Sequence, residues 1–306
     1  MVLSVLDLGS NSFHLVAYRA RERGKLEKLG RSKEMCRLGA GTLWNGEIDD
    51  AAWRRGAAAL DRLYRRAVAR DPDRLIAVAT SAIRDARNGD EFCRAARRRL
   101  GLDIEVLSGE EEARLIYHGA RSGLPRDTGR IAVIDVGGGS AEIAVGDRRG
   151  CSFAACLPLG VLRLRELPVE RVAPYVRAAA RAAMAEVRAL RPDRVVLTSG
   201  TARRLADVAL GLGLGEPEQR EVTRASLRRV AVALPQLGSS DLTALGVEEA
   251  RWDTIRHGAL ILEALLDLSG APAALVSARG LREGVALREL GHTGRGRRAV
   301  ASRAAG

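Results

Sequence analysis

One short motif occurs twice in this chain, as Asp7-Leu8-Gly9-Ser10-Asn11-Ser12 and as Asp135-Val136-Gly137-Gly138-Gly139-Ser140. Each copy follows an apolar run, Val2 to Leu6 and Ile131 to Ile134, and precedes another, Phe13 to Tyr18 and Ala141 to Val145. Each therefore reads as strand, tight polar turn, strand. Glycine permits a positive φ and lets backbone N–H groups come close to a ligand. Successive turn amides form an anion-binding nest. The Asp ends the first strand, where its carboxylate can face a cation held by the anion. Two such loops, 128 residues apart, predict two similar domains gripping one phosphate chain across a cleft. A Walker P-loop does not fit, because it needs a Lys after its last Gly and a helix beyond. A lone Gly-Gly-Gly-Ser is an ordinary hairpin turn more often than not; the duplication, with an Asp at the same place in both copies, carries the argument.

A chain of 306 residues suits about two domains. Aromatics are 3% of it, so its cores must rest on Leu, Val, Ile and Ala. No apolar stretch reaches the ~20 residues needed to span a bilayer. Asp7 interrupts the first apolar run and no cleavage pattern follows, so a signal peptide is not expected. The expectation is a soluble cytoplasmic protein with no membrane partner. The cysteines, Cys36, Cys93, Cys151 and Cys156, form no Cys-x-x-Cys pair and have no His cluster beside them, which argues for reduced thiols over zinc or disulfides. Net charge is +12, and lysine appears only at 25, 28 and 33. Arginine's planar fork suits phosphate oxygens, and such a field draws in a polyanion. An Arg- and Ala-rich composition accounts for the charge equally well. Specific nucleic-acid binding is not expected, since the aromatic stacking platforms of a single-strand binder are missing.

Strands and helices alternate. After the first hairpin come Lys25 to Leu38 and a loop, Gly39 to Gly46. Asp50 to Ala69 reads as a helix with Trp53, Ala57, Leu60, Leu63 and Tyr64 on one face. Leu75 to Ala79 is a strand running into Thr80-Ser81-Ala82-Ile83-Arg84. Asp90 caps a helix that ends at Gly101, and Ile104 to Leu107 is another strand. Ser108-Gly109-Glu110-Glu111 has the spacing of a capping box and opens a helix to about Gly123. Gly123 to Gly129 reads as the linker. Pro168 to Leu190 is helical, Arg194 to Leu197 a strand, and Ala202 to Leu210 a helix after Ser199-Gly200-Thr201. Leu214 to Asp241 is polar and gives no clear pattern. Asp253 to Leu268, Ala274 to Val276 and Leu281 to Leu290 read as helix, strand and helix. The basic tail 291–306 reads as disordered.

The sequence resembles the exopolyphosphatase / guanosine-pentaphosphate phosphatase family, of the superfamily of actin, sugar kinases and heat-shock chaperone ATPases. The resemblance covers most of residues 2 to 290. It rests on Asp7-Leu8-Gly9-Ser10-Asn11-Ser12-Phe13-His14, Val78-Ala79-Thr80-Ser81-Ala82-Ile83-Arg84, Ser108-Gly109-Glu110-Glu111-Glu112-Ala113-Arg114 and Asp135-Val136-Gly137-Gly138-Gly139-Ser140-Ala141-Glu142. Ser199-Gly200-Thr201-Ala202 and Gly280-Leu281-Arg282-Glu283-Gly284 are weaker echoes. It implies an α/β fold of two ribonuclease-H-like (actin-like ATPase) domains with an interdomain cleft, divided here as 1–123 and 124–306. Longer relatives carry added helical domains, one with a His-Asp metal site; no His-Asp doublet occurs in this chain.

Hydrolysis of a phosphoanhydride end requires the terminal phosphoryl to be held, its charge neutralised and a water aimed in line. The glycine loops, Gly9 and Gly137-Gly138-Gly139, can hold it through backbone amides, with the hydroxyls of Ser10, Ser12 and Ser140 and the amide of Asn11. Asp7, Asp135 and Glu142 offer hard oxygen ligands to magnesium or manganese. The resemblance places the catalytic Glu on Glu112, as the base for water. Arg84, at a strand-to-helix junction, is a candidate for the second or third phosphate. Arg37, Arg279 and Arg282 are weaker candidates for a basic channel. Ser199-Gly200-Thr201 stands where superfamily ATPases bind adenosine, but a capping turn explains it as well. The expected function is hydrolysis of the terminal phosphoanhydride of inorganic polyphosphate. The same motifs suit hydrolysis of the 5′ γ-phosphate of guanosine pentaphosphate. A superfamily kinase or ATPase, or a non-catalytic sensor of polyphosphate or an alarmone, is a further alternative, and a homodimer stays open.

Overall fold

A computed structural model describes residues 1–21, 25–214 and 221–291. Its strands form two sheets. The first, ordered β3-β2-β1-β4-β5, contains β1 (Val2–Leu8), β2 (Ser12–Ala20), β3 (Leu26–Met35), β4 (Arg74–Ala79) and β5 (Ile104–Val106). The second, ordered β10-β11-β9-β6-β7-β8, contains β6 (Ile131–Val136), β7 (Ala141–Asp147), β8 (Gly150–Leu157), β9 (Arg194–Thr198), β10 (Glu221–Thr223) and β11 (Ala273–Val276). Taken from its opposite edge, β8-β7-β6-β9-β11 repeats the order of the first sheet, with β10 added outside. In both sheets an antiparallel meander supplies the central strand, which pairs in parallel on its other side, β1 with β4 and β6 with β9. Leu3, Val5, Leu6 and Leu8 are buried, as are Ile131 to Ile134. Strands covered on both faces read as continuous apolar runs, which is why the flanks of the repeated motif were so plain.

The helices are α1 (Gly39–Asn45), α2 (Asp50–Val68), α3 (Ser81–Arg84), α4 (Gly89–Leu100), α5 (Gly109–Arg121), α6 (Val169–Ala189), α7 (Ser199–Gly211), α8 (Arg224–Ala233), α9 (Ser239–Ala244), α10 (Ile255–Ser269) and α11 over 281–291. No helix among the described residues is long and apolar enough to cross a membrane. The tail 292–306 lies outside the described residues.

Four local expectations need correction. The segment Gly39 to Gly46, expected as a loop, contains α1, kinked at Ala40 and Gly41 and closed by a left-handed Gly46. Thr42 and Leu43 are buried there, so packing overrides three glycines, and within the segment Thr42 Oγ1 donates to the Leu38 carbonyl at 2.6 Å. The buried stripe of α2 is Ala52, Gly56, Ala59, Leu60, Leu63 and Ala67, with Trp53 and Tyr64 only partly buried beside it. Small residues seat that helix close to the sheet, and the rings flank it. The N-cap of α4 is Asn88, not Asp90; Asp90 lies in the first turn, where the helix dipole favours a carboxylate. The unplaced segment 214–241 holds β10, α8 and α9 in its described part, with Thr223 and Ser226 forming a capping box.

Two helices tie the sheets together. α5 follows the first sheet in sequence but packs on β7 and β8 of the second. α11 follows the second sheet but returns to the first, where Val285 and Ala286 cluster with Leu3, Val5, Val16 and Tyr18. Leu115 of α5 joins the same cluster, so α5 and α11 lie side by side. A Cβ on Gly119 would collide with the Gly280 carbonyl, and one on Gly284 with the Leu115 carbonyl, so these backbones meet without room for side chains. This arrangement brings the first turn of α5 and the start of α11 to the space between the sheets.

Candidate active site

Both repeated loops open into one cavity of about 720 Å³ between the sheets. The hairpin registers are equivalent: Asp7 lies opposite His14, and Asp135 lies opposite Glu142. The repeat thus extends seven residues past each Asp, and Glu142 takes the place that His14 holds in the first copy.

One of the two reasons expected for these glycines, a positive φ, does not hold. None of Gly9, Gly137, Gly138 and Gly139 has a positive φ. Their role at Gly138 and Gly139 is close approach between loops. A Cβ on Gly138 would lie 3.0 Å from Ser10 Cβ and 3.2 Å from the Asn11 nitrogen. One on Gly139 would collide with Ser81 Oγ and lie 2.9 Å from Ser10 Oγ. Ser10 Oγ and Ser81 Oγ are hydrogen-bonded at 2.7 Å, closing the contact from the first sheet's side. Behind the second loop, the N–H groups of Val161 and Leu162 donate to the carbonyls of Gly137 and Gly138 at 3.0 and 2.7 Å. Arg163 Nε donates to the Gly139 carbonyl at 2.8 Å. With its carbonyls tied back, the loop leaves the N–H groups of Gly138, Gly139 and Ser140 without an acceptor among the described residues, as are those of Gly9, Ser10 and Asn11. Such paired amide clusters suit phosphoryl oxygens.

Of the other sequence candidates, Asn11 is buried with Oδ1 unpartnered, and Ser140 hydrogen-bonds to Glu142. Ser12 is buried and bonded to His14 Nε2 at 2.8 Å, away from the cavity lining. Arg84 is not a free phosphate ligand: its Nη1 donates to Glu112 Oε2 at 2.7 Å. Arg282 lines the cavity, but Nη1 pairs with Asp7 Oδ2 at 2.9 Å. Arg37 pairs with Asp253 at 2.5 Å and Arg279 with Ser122, both outside the lining. Ser199 Oγ accepts from the N–H groups of Thr201 and Ala202, each at 3.1 Å, so this turn caps α7.

Glu112 sits on the first turns of α5, 5% exposed, and lines the cavity. Burial and then the charge of Glu142 push its carboxyl well above the ordinary range, against the pull of Arg84. Asp135 is raised to about 8 by burial and Glu142. Burial also raises Glu142 and Asp7, with Arg282 opposing the shift at Asp7. His14 is held well below its usual value by burial and by Arg282, hence neutral. Burial and Glu142 raise the Cys156 thiol to about 12, so it stays protonated.

Four buried carboxyls against two pairing arginines suit a hard divalent cation. Among the described residues no three His, Cys, Asp or Glu side chains converge into a ready metal cage. That still fits magnesium, which takes few carboxylates and fills its sphere with water and phosphate oxygens. The unpartnered Asn11 Oδ1 could accept from such a water. The raised carboxyls also fix a sign. The folded state holds protons that the unfolded chain releases near its ordinary values. The stability this contributes is full below those values and is lost as pH rises through the folded ones, about 8 for Asp135. The melting temperature of chelator-treated protein is therefore expected to fall between about pH 5 and pH 8. Magnesium should raise it more at the higher pH. A magnesium shift of equal size at both ends would contradict this.

Sequence reasoning missed a basic wall. Lys28, Arg31 and Lys33 of β3 line the cavity with Arg203, Arg204 and Arg251. The side chains of Lys28 and Arg31 have no ion pair or hydrogen bond among the described residues, while Lys33 pairs with Glu248 at 2.6 Å. Arg203 is held below its usual value by burial and by Arg282, a sign of crowded positive charge. One signal was available: in an Arg-rich chain, all three lysines fall between 25 and 33.

Comparison with known proteins places the chain in a family. The exopolyphosphatase 1 of Mycobacterium tuberculosis is 32% identical over 304 residues, covering 95% of this chain and 88% of that protein. Its counterpart in Mycobacterium leprae is 31% identical, covering 95% and 90%. A crystal structure of an exopolyphosphatase from Cytophaga hutchinsonii superposes with a TM-score of 0.83 at 24% identity, covering 93% of this chain and 96% of that one. The Aquifex aeolicus Ppx/GppA family member gives 0.75 at 25% identity, covering 95% and 97%. The fold is the two-domain actin-like ATPase fold. The model of the Ppx/GppA phosphatase family matches residues 16–293, a span that contains the basic wall, Glu112, the second glycine loop and Arg282, and to that family the chain belongs.

Proposed function

We propose that this protein is an exopolyphosphatase, hydrolysing the terminal phosphoanhydride of inorganic polyphosphate and releasing orthophosphate. The observation that carries the reading is Glu112: a buried carboxyl beside two opposed amide clusters, in a cavity walled by cations. The mycobacterial relatives named exopolyphosphatase support the substrate.

The amides of Gly9, Ser10 and Asn11 and those of Gly138, Gly139 and Ser140 hold the terminal phosphoryl from two sides. Lys28, Arg31 and Arg203 take the following phosphates of the chain. Glu112 accepts the proton of the attacking water, and its raised affinity for protons suits it to that task. Arg84 holds the Glu112 carboxylate in place at 2.7 Å. Magnesium or manganese, bound through Asp7, Asp135 and Glu142 directly or by water, would neutralise charge on the phosphoryl oxygens. With Cys36, Cys93, Cys151 and Cys156 all unpaired, the reducing cytoplasm suits the chain.

Guanosine pentaphosphate offers the same phosphoanhydride. No Phe, Tyr or Trp is among the described residues that line the cavity; its aromatic ring is the imidazole of His14, tied back to Ser12 at 2.8 Å, and the rest of the wall offers cations for phosphates. Polyphosphate is the better fit. The test is phosphate release from polyphosphates of graded length, guanosine pentaphosphate, ATP and p-nitrophenyl phosphate, with and without magnesium. Polyphosphate is expected to be the best substrate, with a requirement for the divalent ion. Rapid metal-independent cleavage of the monoester would overturn the reading, and a marked preference for guanosine pentaphosphate would reassign the substrate.

A further inference from the structure

Cys156 lies where three elements of the site meet. On β8 it is directly opposite Glu142 of β7, so the two side chains share a face. Its Sγ donates to Glu142 Oε1 at 3.3 Å. Arg84 Nη2 in turn donates to the same sulfur at 3.6 Å, while Arg84 Nη1 holds Glu112. On its third side the residue presses on the start of α5. A Cβ on Gly109 would lie 2.5 Å from Cys156 Cβ and 2.7 Å from Sγ. That contact comes three residues before Glu112. The cavity lining itself includes Glu112 and Glu142 but not Cys156, so the thiol stands behind the carboxylates.

This placement matters because Glu112 and Glu142 line the same cavity, close enough for the charge of Glu142 to raise the Glu112 carboxyl. Two like-charged groups that repel will rotate apart unless each is held by a donor. Glu112 has Arg84. Glu142 has Ser140 at its own loop and Cys156 from the neighbouring strand. The sulfur is also the shared atom through which the Arg84–Glu112 pair reaches Glu142. A valine would fill the same space but could neither donate nor accept.

We propose that Cys156 is a positioning residue of this active site, its thiol fixing the Glu142 carboxylate and the Arg84 guanidinium relative to Glu112. The inference rests on the hydrolase reading of the same site, and it predicts a loss in turnover without a loss in binding. Groups that orient the carboxylates of such a site typically cost 10–100-fold when removed.

Three variants and one structure test it. Cys156→Val keeps the volume and removes the donor; kcat on polyphosphate is expected to fall about tenfold, with KM changed by less than about twofold. Cys156→Ser keeps a donor and is expected to recover most of that loss. In a cycle with Glu142→Gln, adding Cys156→Val should cost clearly less than it does alone, because one of the two groups it positions is no longer a carboxylate. A crystal structure of Cys156→Val is expected to show the Glu142 carboxylate rotated from its wild-type place, with the Arg84–Glu112 pair kept and the fold intact by circular dichroism. Wild-type kcat in Cys156→Val, a serine variant as slow as the valine one, or additive losses in the cycle would each overturn the proposal. So would an unmoved Glu142 in the crystal, whatever the protein's activity. If wild-type protein released no phosphate from any polyphosphate, the hydrolase reading would fail, and the crystal structure would decide the positioning role by itself.

Discussion

Replacing Glu112 with Gln is expected to lower phosphate release by ~10²–10⁴-fold while polyphosphate affinity stays within a few-fold of wild type. The amide keeps the size of the carboxylate and can still accept from Arg84, which now lies 2.7 Å from Oε2. It cannot take a proton from water. The neighbouring Glu111→Gln is the control. Glu111 offers its backbone N–H to Ser108 Oγ at 3.2 Å, as the capping motif requires. Its side chain does not return the bond; Oε1 instead pairs with Arg288 of α11 at 2.8 Å. Partly exposed ion pairs of this kind contribute ~0–1 kcal/mol, so Glu111→Gln should melt within a few degrees of wild type and turn over normally. Phosphate release and polyphosphate binding measured side by side separate the cases. A dead Glu111→Gln beside an active Glu112→Gln would move the base by one residue. Two active variants would mean that another group activates water.

The parts of this site that were legible in the sequence are those encoded locally. The repeated Asp-Gly loops announce themselves because apolar strands flank them, and the strands are apolar because both faces are covered. Glu112 stood out only through the family resemblance, since three successive glutamates in a helix's first turn look like a dipole effect. What stayed hidden depends on chain segments far apart. Asp7 meets Arg282 across 275 positions, and Tyr18 donates to Glu283 across 265. No local pattern says that α11 returns to the first sheet. Lys28 and Arg31 gave no local signal of a site, because only the second sheet, bringing Arg203, makes that edge of β3 the wall of a cavity. Arg84 was readable as an anion ligand from its strand-to-helix junction, but the carboxylate that engages it comes from α5. Positive φ was the expected need at the glycines, and it does not hold; at Gly138 and Gly139 the structure shows closeness between two loops instead, which a single loop's sequence does not display.

That reason can be tested within one triplet. Gly139→Ala is expected to part the two loops. The new methyl would collide with Ser81 Oγ and lie 3.0 Å from Ser81 Cβ, so rotating the hydroxyl away does not relieve it. The Ser10–Ser81 hydrogen bond, 2.7 Å long, sits at the same spot and would be strained as well. Overpacking of this kind costs ~1–3 kcal/mol. The larger effect falls on turnover, because in the function proposed above the two amide clusters address one phosphoryl together, and misplacement by about 1 Å can cost ~10²-fold. Gly137→Ala is the contrast. Its methyl would have only the Ser140 carbonyl near it, at 3.5 Å, an ordinary contact. That variant should melt like wild type and keep turnover within about tenfold, a loss well short of the one expected at Gly139. If positive φ were what these glycines provide, alanine at any of the three would be similarly harmful, and Gly137→Ala would fail beside Gly139→Ala. Equal damage at both positions would therefore reject loop-to-loop packing as the reason for the motif. Damage confined to Gly139 and its neighbour Gly138 would tie the duplicated motif to one physical demand, that two halves of the chain present their backbone amides to the same anion.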